Sequence, residues 1–482
     1  MLRSVLLLLS GNAATALVTL TRNLIIARLI SVENYGIAAT FAIALGVVEL
    51  LSALGMEQQI VQARDGDTTR FQAALQAFTV LRGAVSSALL FAIAAPMADF
   101  LGVPDLTWAY QIMALTPLIR AFVHYDKTRF KRSMRYGPEI ATRLGSAALA
   151  VVAVWPAYLI WGDYRVMMAS MLVQTFASIA MSHLFAERPY RLVFDVAIWR
   201  GSLKFGWPLL VNGILLFGVM HGEKLIAGRT LGLEDLAILA MGLTLTMTPT
   251  LVLARSLQDF FLPQLSAARD DAAAFQRLAE TAIETVMSVT LVYLLAMVAL
   301  GGPVALLLLG EKYAALPPLV VLLAVQQSLR VFKAGGSVVA VARGQTTNPM
   351  IANAVRLAAL PVAWWVAVNG GGLDGIIYVA IAGEALGFLV SLAMIRLRLR
   401  IRMRRLRLSF LVSALAVAVG LAGALGADPA AAATLTRPLE IGAVALAVGL
   451  ALAMMRGSLL YVLGRARPGL AMGAGKPGGT AP

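Results

Sequence analysis

Ten basic residues, Arg22, Arg28, Arg82, Arg120, Arg143, Lys224, Arg255, Arg330, Lys333 and Arg356, stand inside stretches that are otherwise apolar. Glu49, Glu57, Glu223, Asp259, Glu284 and Glu384 share those stretches. A cation at the centre of a membrane helix costs ~2.5–3.5 kcal/mol, so ten facing lipid at mid-depth would cost on the order of 25–35 kcal/mol. That exceeds the ~5–15 kcal/mol that holds a folded domain together. Some must lie near helix ends and snorkel, and the rest must pair or line a wet cavity.

Arg28, Arg120, Arg143 and Arg255 are within reach of an interface. Arg255 and Asp259 are four apart, the spacing of a local ion pair on a helix. Arg330 and Lys333 share a face three residues apart, beside Gln326, Gln327 and Ser328. Two readings stay open for Arg22, Lys224, Arg330 and Lys333. They line a cavity, or they form ion pairs with Glu49, Glu223 or Glu384. A cavity so lined is cationic, and its natural guest carries phosphate, whose oxygens match planar guanidinium forks. The same three glutamates are candidates for a coupling proton or Na⁺.

Other chemistry has little to stand on. Cysteine is absent, and the histidines, His124, His183 and His221, are scattered, so no thiol, metal or cofactor site is expected. Gly473-Ala-Gly-Lys-Pro477 lacks the Ser or Thr that a phosphate loop needs after its lysine, and it lies in a Gly/Pro-rich tail expected to be disordered.

The elements that must position these charges are membrane helices. Of 482 residues, 60% are apolar and 13% charged, against the ~25% charged of soluble domains. Windows of about 20 apolar residues predict an all-α, polytopic protein with about fourteen spans. They fall at 6–30, 36–60, 73–97, 106–126, 138–161, 164–186, 205–228, 236–261, 280–309, 316–342, 349–369, 373–396, 408–426 and 438–461. The first is read as a retained span, because no small-residue cleavage site stands out and its polar face continues through Asn12, Thr15, Thr19, Arg22 and Asn23.

Orientation follows from the loops. With a cytoplasmic N-terminus, 26 of the 40 Lys and Arg fall in inside segments and only Arg165, Arg229, Lys312 and Arg437 outside. Both termini are therefore expected in the cytoplasm. The ladder of arginines from Arg396 to Arg407 alternates with apolar residues and reads as an interfacial segment for anionic lipids, with no nucleic-acid role.

An offset of 201 lays the seventh span over the first, matching Leu24/Leu225, Ile25/Ile226, Arg28/Arg229 and Glu33/Glu234. Six spans precede the seventh, so the repeat is parallel. The expected organisation is a six-helix lobe at 1–200, a second at 201–400, two additional spans at 401–463 and a cytoplasmic tail at 464–482. Gly218-x3-Gly222 and Gly228-x3-Gly232 fit close helix packing or a bend.

Five short segments carry a resemblance: Ala27-Arg-Leu-Ile-Ser-Val-Glu-Asn-Tyr-Gly36, Leu54-Gly-Met-Glu-Gln-Gln-Ile-Val61, Gly228-Arg-Thr-Leu-Gly232, Phe260-Phe-Leu-Pro-Gln264 and Leu309-Gly-Glu-Lys-Tyr313. In this order, over residues 1–400, the chain resembles the Wzx-like polysaccharide and oligosaccharide-lipid flippases. These belong to the multidrug/oligosaccharidyl-lipid/polysaccharide (MOP) exporter superfamily. The resemblance implies two six-helix bundles in a MATE-like fold, alternating access, and a polyprenyl-diphosphate-linked oligosaccharide crossing the bacterial inner membrane for surface polysaccharide synthesis. It also implies cavity arginines for the anionic headgroup, matched best by Arg22 and Arg28, and a polysaccharide polymerase and chain-length regulator as partners. Leu236-Ala237 departs from the tyrosine often repeated in the family's second lobe. A peptidoglycan-precursor lipid flippase and a cation or drug antiporter of the same superfamily are alternatives. A membrane polymerase or ligase is another, though no outer loop carries clustered carboxylates.

Overall fold

The computed structural model describes residues 2–52, 54–345, 347–403, 406–425 and 449. The expected span at 438–461 and the tail at 464–482 lie outside them, residue 449 aside. Among the described residues there are helices and turns and no strand. A first group comprises α1 (Leu2–Leu29), α2 (Val32–Ser52), α3 (Met56–Gln62), α4 (Thr69–Phe100) and α5 (Thr107–Ala114). It continues with α6 (Thr116–Arg120), α7 (Asp126–Arg129), α8 (Gly137–Val152), α9 (Val154–Trp161) and α10 (Arg165–Leu184). A second group comprises α11 (Val196–Thr230), α12 (Leu233–Ala267), α13 (Ala272–Leu309) and α14 (Leu316–Ala342). It ends with α15 (Thr347–Leu357), α16 (Leu360–Val368), α17 (Gly372–Arg398) and α18 (Arg407–Leu425). Among the described residues, seven helical stretches are long and apolar enough to cross a membrane. This is a multi-pass membrane protein.

Each of the first thirteen expected spans falls on helix, but four are broken. The second stops at Ser52, and a left-handed turn at Gly55 (φ 67°), which glycine takes without strain, precedes the short α3. The other three breaks are proline effects. Pro117, Pro156 and Pro361 lack an N–H, and their rings crowd the carbonyls of Met113, Val152 and Leu357, four residues back. Accordingly α5 ends at Ala114, α8 at Val152 and α15 at Leu357.

Two helices overrun the expected bounds because aspartates cap them. Asp195 Oδ1 accepts from the backbone N–H of Ala197 (3.1 Å) and Ile198 (3.2 Å), so α11 starts nine residues earlier than hydropathy suggests. Arg200 and Lys204 therefore ride on a helix and not in a connection. Asp271 does the same for α13. At 35 residues, α11 and α12 are each ~52 Å long, against an apolar bilayer core of ~30 Å.

One apolar core is drawn entirely from residues between Ile226 and Ala416, within the second group. Another joins the two groups at the end remote from the start of α1: Ile26, Ile30 and Tyr35 pack with Met241, Leu309 and Tyr313. There Gly36 lets α2 lie on the backbone of Leu233, where a Cβ would collide with the carbonyl oxygen. Gly218 and Gly222 seat Leu357 and Leu360 against a continuous α11, so this glycine step packs helices rather than bending one. Gly232 instead takes φ 104° to start α12.

Candidate functional site

Between the two helix groups, displaced from that packed end toward the start of α1, lies a cavity of about 280 Å³ bounded by α1, α8 and α12. Asn12, Thr15, Thr19 and Asn23 line it from one face of α1, and Thr244, Thr248 and Ser256 from α12. Helical spacing of three and four residues puts each set on a single stripe. The threonine hydroxyls donate to carbonyls one turn back, Thr15 to Gly11 (2.8 Å) and Thr248 to Thr244 (2.7 Å). Their oxygens are left as acceptors. The strong donors are Arg143 of α8 and Arg255 of α12, one from each group, with Asp259 nearby. The expected i,i+4 pair of Arg255 with Asp259 is not formed among the described residues. Arg255 makes no ion pair there at all, so its charge is available to the cavity.

Arg143 is positioned from behind. Its Nε pairs with Glu139 Oε1 at 2.9 Å, and Glu139 is itself buried and held by Lys127 (2.9 Å) and Lys131 (3.3 Å). Glu57, on α3 beyond the end of the second span, completes the group, 3.3 Å from Lys127 and 3.6 Å from Lys131. Burial raises the Glu57 carboxyl, but Lys127, Lys131 and Arg143 overcome it and hold its pKa at about 2. Burial likewise lowers Lys127, and Glu57 and Glu139 more than restore it. Two carboxylates thus face three cations, and the surplus positive charge is the one presented to the cavity.

Arg22 does not line the cavity. Its side chain is buried behind α1, with Nη1 donating to Gln174 Oε1 of α10 at 2.5 Å. Nε and Nη2 donate to Asn23 Oδ1 at 3.3 and 3.2 Å, which leaves the Asn23 amide N–H groups for the cavity. Arg28 is nowhere near: six residues on, it is exposed at the packed end, where Nη1 donates to the carbonyls of Leu307 (2.9 Å) and Leu308 (3.0 Å).

Arg330 and Lys333 take the ion-pair alternative, and Arg356 joins them. Glu384, fully buried on α17, meets Arg330 (2.8 Å), Lys333 (3.8 Å) and Arg356 (2.5 Å). Lys333 Nζ also donates to Asn353 Oδ1 at 2.9 Å. Glu223 accepts from the Gln326 amide at 2.7 Å. Lys224 is half-buried and makes no hydrogen bond or ion pair among the described residues. The side chain of Glu49, on α2, lies outside those described.

Residues 25–318 match the family described as polysaccharide biosynthesis protein. The chain belongs to that family. The succinoglycan biosynthesis transport protein ExoT of Rhizobium meliloti (strain 1021) is 25% identical over 316 residues, covering 63% of this chain. The match spans 62% of that relative's own length. Lipid II flippase MurJ, in an inward closed conformation, superposes with a TM-score of 0.72 at 12% identity over 95% of this chain and 99% of its own. An inward-facing multidrug resistance MATE family transporter of the MOP superfamily gives 0.68 at 14% over 80% and 94%. At these identities the likeness is one of fold.

Three parts of the arrangement carry no local signal in the sequence. Arg143 looked like an interfacial cation, because nothing local announces that α8 borders a cavity. Arg255 looked neutralised by Asp259. Arg356 was one of ten intramembrane cations with no partner at helical spacing, since Glu384 is 28 residues away on another helix. The polar face of α1, read from the sequence only as the mark of a retained span, is the signal that could have located the cavity wall.

Proposed function

We propose that this protein is a flippase that moves a polyprenyl-diphosphate-linked oligosaccharide from the cytoplasmic to the outer leaflet of the bacterial inner membrane. No covalent chemistry is involved. The observation that carries this reading is the polar cavity between the two helix groups, with two arginines to one aspartate, beneath an end that is packed shut. The groups act as two lobes, 1–200 and 201–400, and the loop charges put both termini and the cavity mouth on the cytoplasmic side. Arg143 and Arg255 take the diphosphate between lobes, Asn12 and Asn23 add amide donors, and Arg22 and Lys224 add positive potential. The polyprenyl tail stays in lipid while the sugar crosses the wet chamber.

Of the three glutamates considered for a coupling ion, Glu384 already faces three cations. Glu223, met by a neutral amide, is the better place for a proton or Na⁺. The arginine ladder sits where anionic headgroups would be, and its backbone is pinned to α13, with Arg402 N and O both bonded to the Gln276 side chain (3.1 and 2.8 Å). A polysaccharide polymerase and a chain-length regulator would act on the product.

The test is a deletion strain examined for lipid-linked oligosaccharide and surface polysaccharide. Complete repeat units should accumulate on the cytoplasmic leaflet and be cleared by the wild-type gene but not by Arg143→Ala or Arg255→Ala variants present at wild-type levels. Units that reach the outer leaflet unpolymerised would favour a polymerase instead. Unchanged polysaccharide with new sensitivity to cationic drugs would favour an antiporter.

A further inference from the structure

At the packed end, two arginines that the internal repeat makes equivalent do equivalent things. Arg28, in the last turn of α1, reaches across the lobe boundary to the carbonyls of Leu307 and Leu308, in the last turn of α13. Arg229, in the last turn of α11, reaches the other way to the carbonyl of Phe100, the last residue of α4, at 3.2 Å. The offset of 201 relates the two arginines. It also relates the helices they reach, because α4 is the third span of the first lobe and α13 the third span of the second.

The last carbonyls of a helix have no partner of their own and carry the negative end of its dipole, so a cation placed there satisfies both. We propose that Arg28 and Arg229 are a two-fold-related latch: each lobe lends an arginine to cap the third helix of the other, and the two caps together hold the outer end of the transporter shut. This rests on the two-lobe, alternating-access reading above. The motif Arg-x4-Glu, present at 28–33 and 229–234, thereby acquires a physical meaning. Its arginine latches the opposite lobe, while its glutamate sits in the first turn of α2 or α12, where the dipole favours an anion.

The two halves are unequal. On the Arg28 side, Lys312 returns the favour, its Nζ donating to the carbonyls of Arg28 (2.9 Å) and Ile30. The C-termini of α1 and α13 are thus capped reciprocally. On the other side the Arg229 guanidinium lies over the Phe100 ring, 5.6 Å from its centroid, and Phe100 stacks on Trp364 of α16. Both arginines are exposed, so when the lobes part, water can replace what they lose. The caps therefore bias an equilibrium without locking it, as a gate that must open in each cycle requires.

The experiment exploits the absence of cysteine. Ala240→Cys places one thiol in the contact that Leu236 and Ala240 of α12 make with Ala39 and Ile43 of α2, buried while the outer end is shut. Ser256→Cys places another on the cavity wall. Each is labelled in the full-length protein with a membrane-impermeant maleimide, the first from the outer face of spheroplasts and the second from inverted vesicles. Replacing both Arg28 and Arg229 with Ala removes two caps. Outer labelling should then rise roughly three- to thirtyfold and inner labelling should fall. Arg28→Ala alone should move both further than Arg229→Ala alone.

Unchanged labelling of the Ala240→Cys thiol overturns the latch, and so does a parallel rise at both thiols, which is what general loosening would give. If the double alanine variant fails to insert, the Arg28→Lys/Arg229→Lys pair serves, with a shift in the same direction but smaller. The readout needs no substrate, so a latch failure is distinguishable from a failure of the flippase assignment, which the deletion strain reports separately.

Discussion

The guanidinium of Arg22 donates to Gln174 Oε1 at 2.5 Å, so a buried cation on α1 is met by a neutral amide on α10. No carboxylate pairs with Arg22 among the described residues, and Asn23 is its other partner. A membrane protein that needed this charge only for packing would be served as well by an acid at 174. Keeping an amide preserves the positive potential at the cavity wall.

That argument makes Gln174→Glu informative. The added carboxylate pairs with Arg22 at the same reach and cancels its field without removing any side chain. Polysaccharide export per molecule of protein should fall by roughly ten- to hundredfold, the worth of one charge-assisted contact, while the amount of protein in the membrane holds. Export at the wild-type rate would show that Arg22 is structural.

Glu384 poses the opposite case, one buried carboxylate for Arg330, Lys333 and Arg356. Removing the shared partner leaves buried cations uncompensated, which typically costs ~3–5 kcal/mol. Glu384→Gln should therefore lower the melting temperature of the purified protein sharply. Arg356→Met, which removes the cation closest to Glu384, should recover part of the loss when combined with it. A strictly additive double variant would mean that the two side chains do not share a free energy.

The Glu57 carboxyl is held at about 2, below the 4.5 of a free glutamate, by Lys127, Lys131 and Arg143. A depressed folded pKa gives stability that is complete above the unfolded value and is lost as pH falls towards the folded one. Between about pH 5 and about pH 3 the wild type should thus lose melting temperature faster than Glu57→Gln, which carries no such group. Identical slopes would place the charge of Glu57 outside the network.

Several features are legible in the sequence. Apolar runs located thirteen of the helical segments, because membrane insertion imposes length and hydrophobicity on each one separately. The polar face of α1 supports a retained span in the sequence, and its role as a cavity wall emerges only once α8 and α12 are packed opposite it. Partnerships were not legible where they cross the bundle: Arg330 and Lys333 pair with a glutamate more than fifty positions away, and Arg28 with carbonyls 279 and 280 positions away. Proline was only half a signal. Pro156 breaks its span, yet Pro249 and Pro303 sit inside the unbroken α12 and α13, whose neighbours keep the helix on course.

The close backbone approach at the packed end gives the last prediction. A Cβ on Gly36 would collide with the carbonyl oxygen of Leu233, and what it meets is backbone, so no side-chain rotation relieves it. Gly36→Ala must push the start of α2 away from the start of α12 while leaving both latch arginines in place. Ala is a better helix former than Gly, so α2 itself should be no weaker. The measurement uses the same two reporter thiols, Ala240→Cys labelled from outside and Ser256→Cys labelled from inside. The expected result is a protein that inserts normally, labels faster at the outer thiol and more slowly at the inner one, and exports less because it no longer returns to the cytoplasm-facing state. Faster labelling of the outer thiol with unchanged labelling of the inner one would mean that the outer end can open without the inner end closing, and strict alternation would be lost with it.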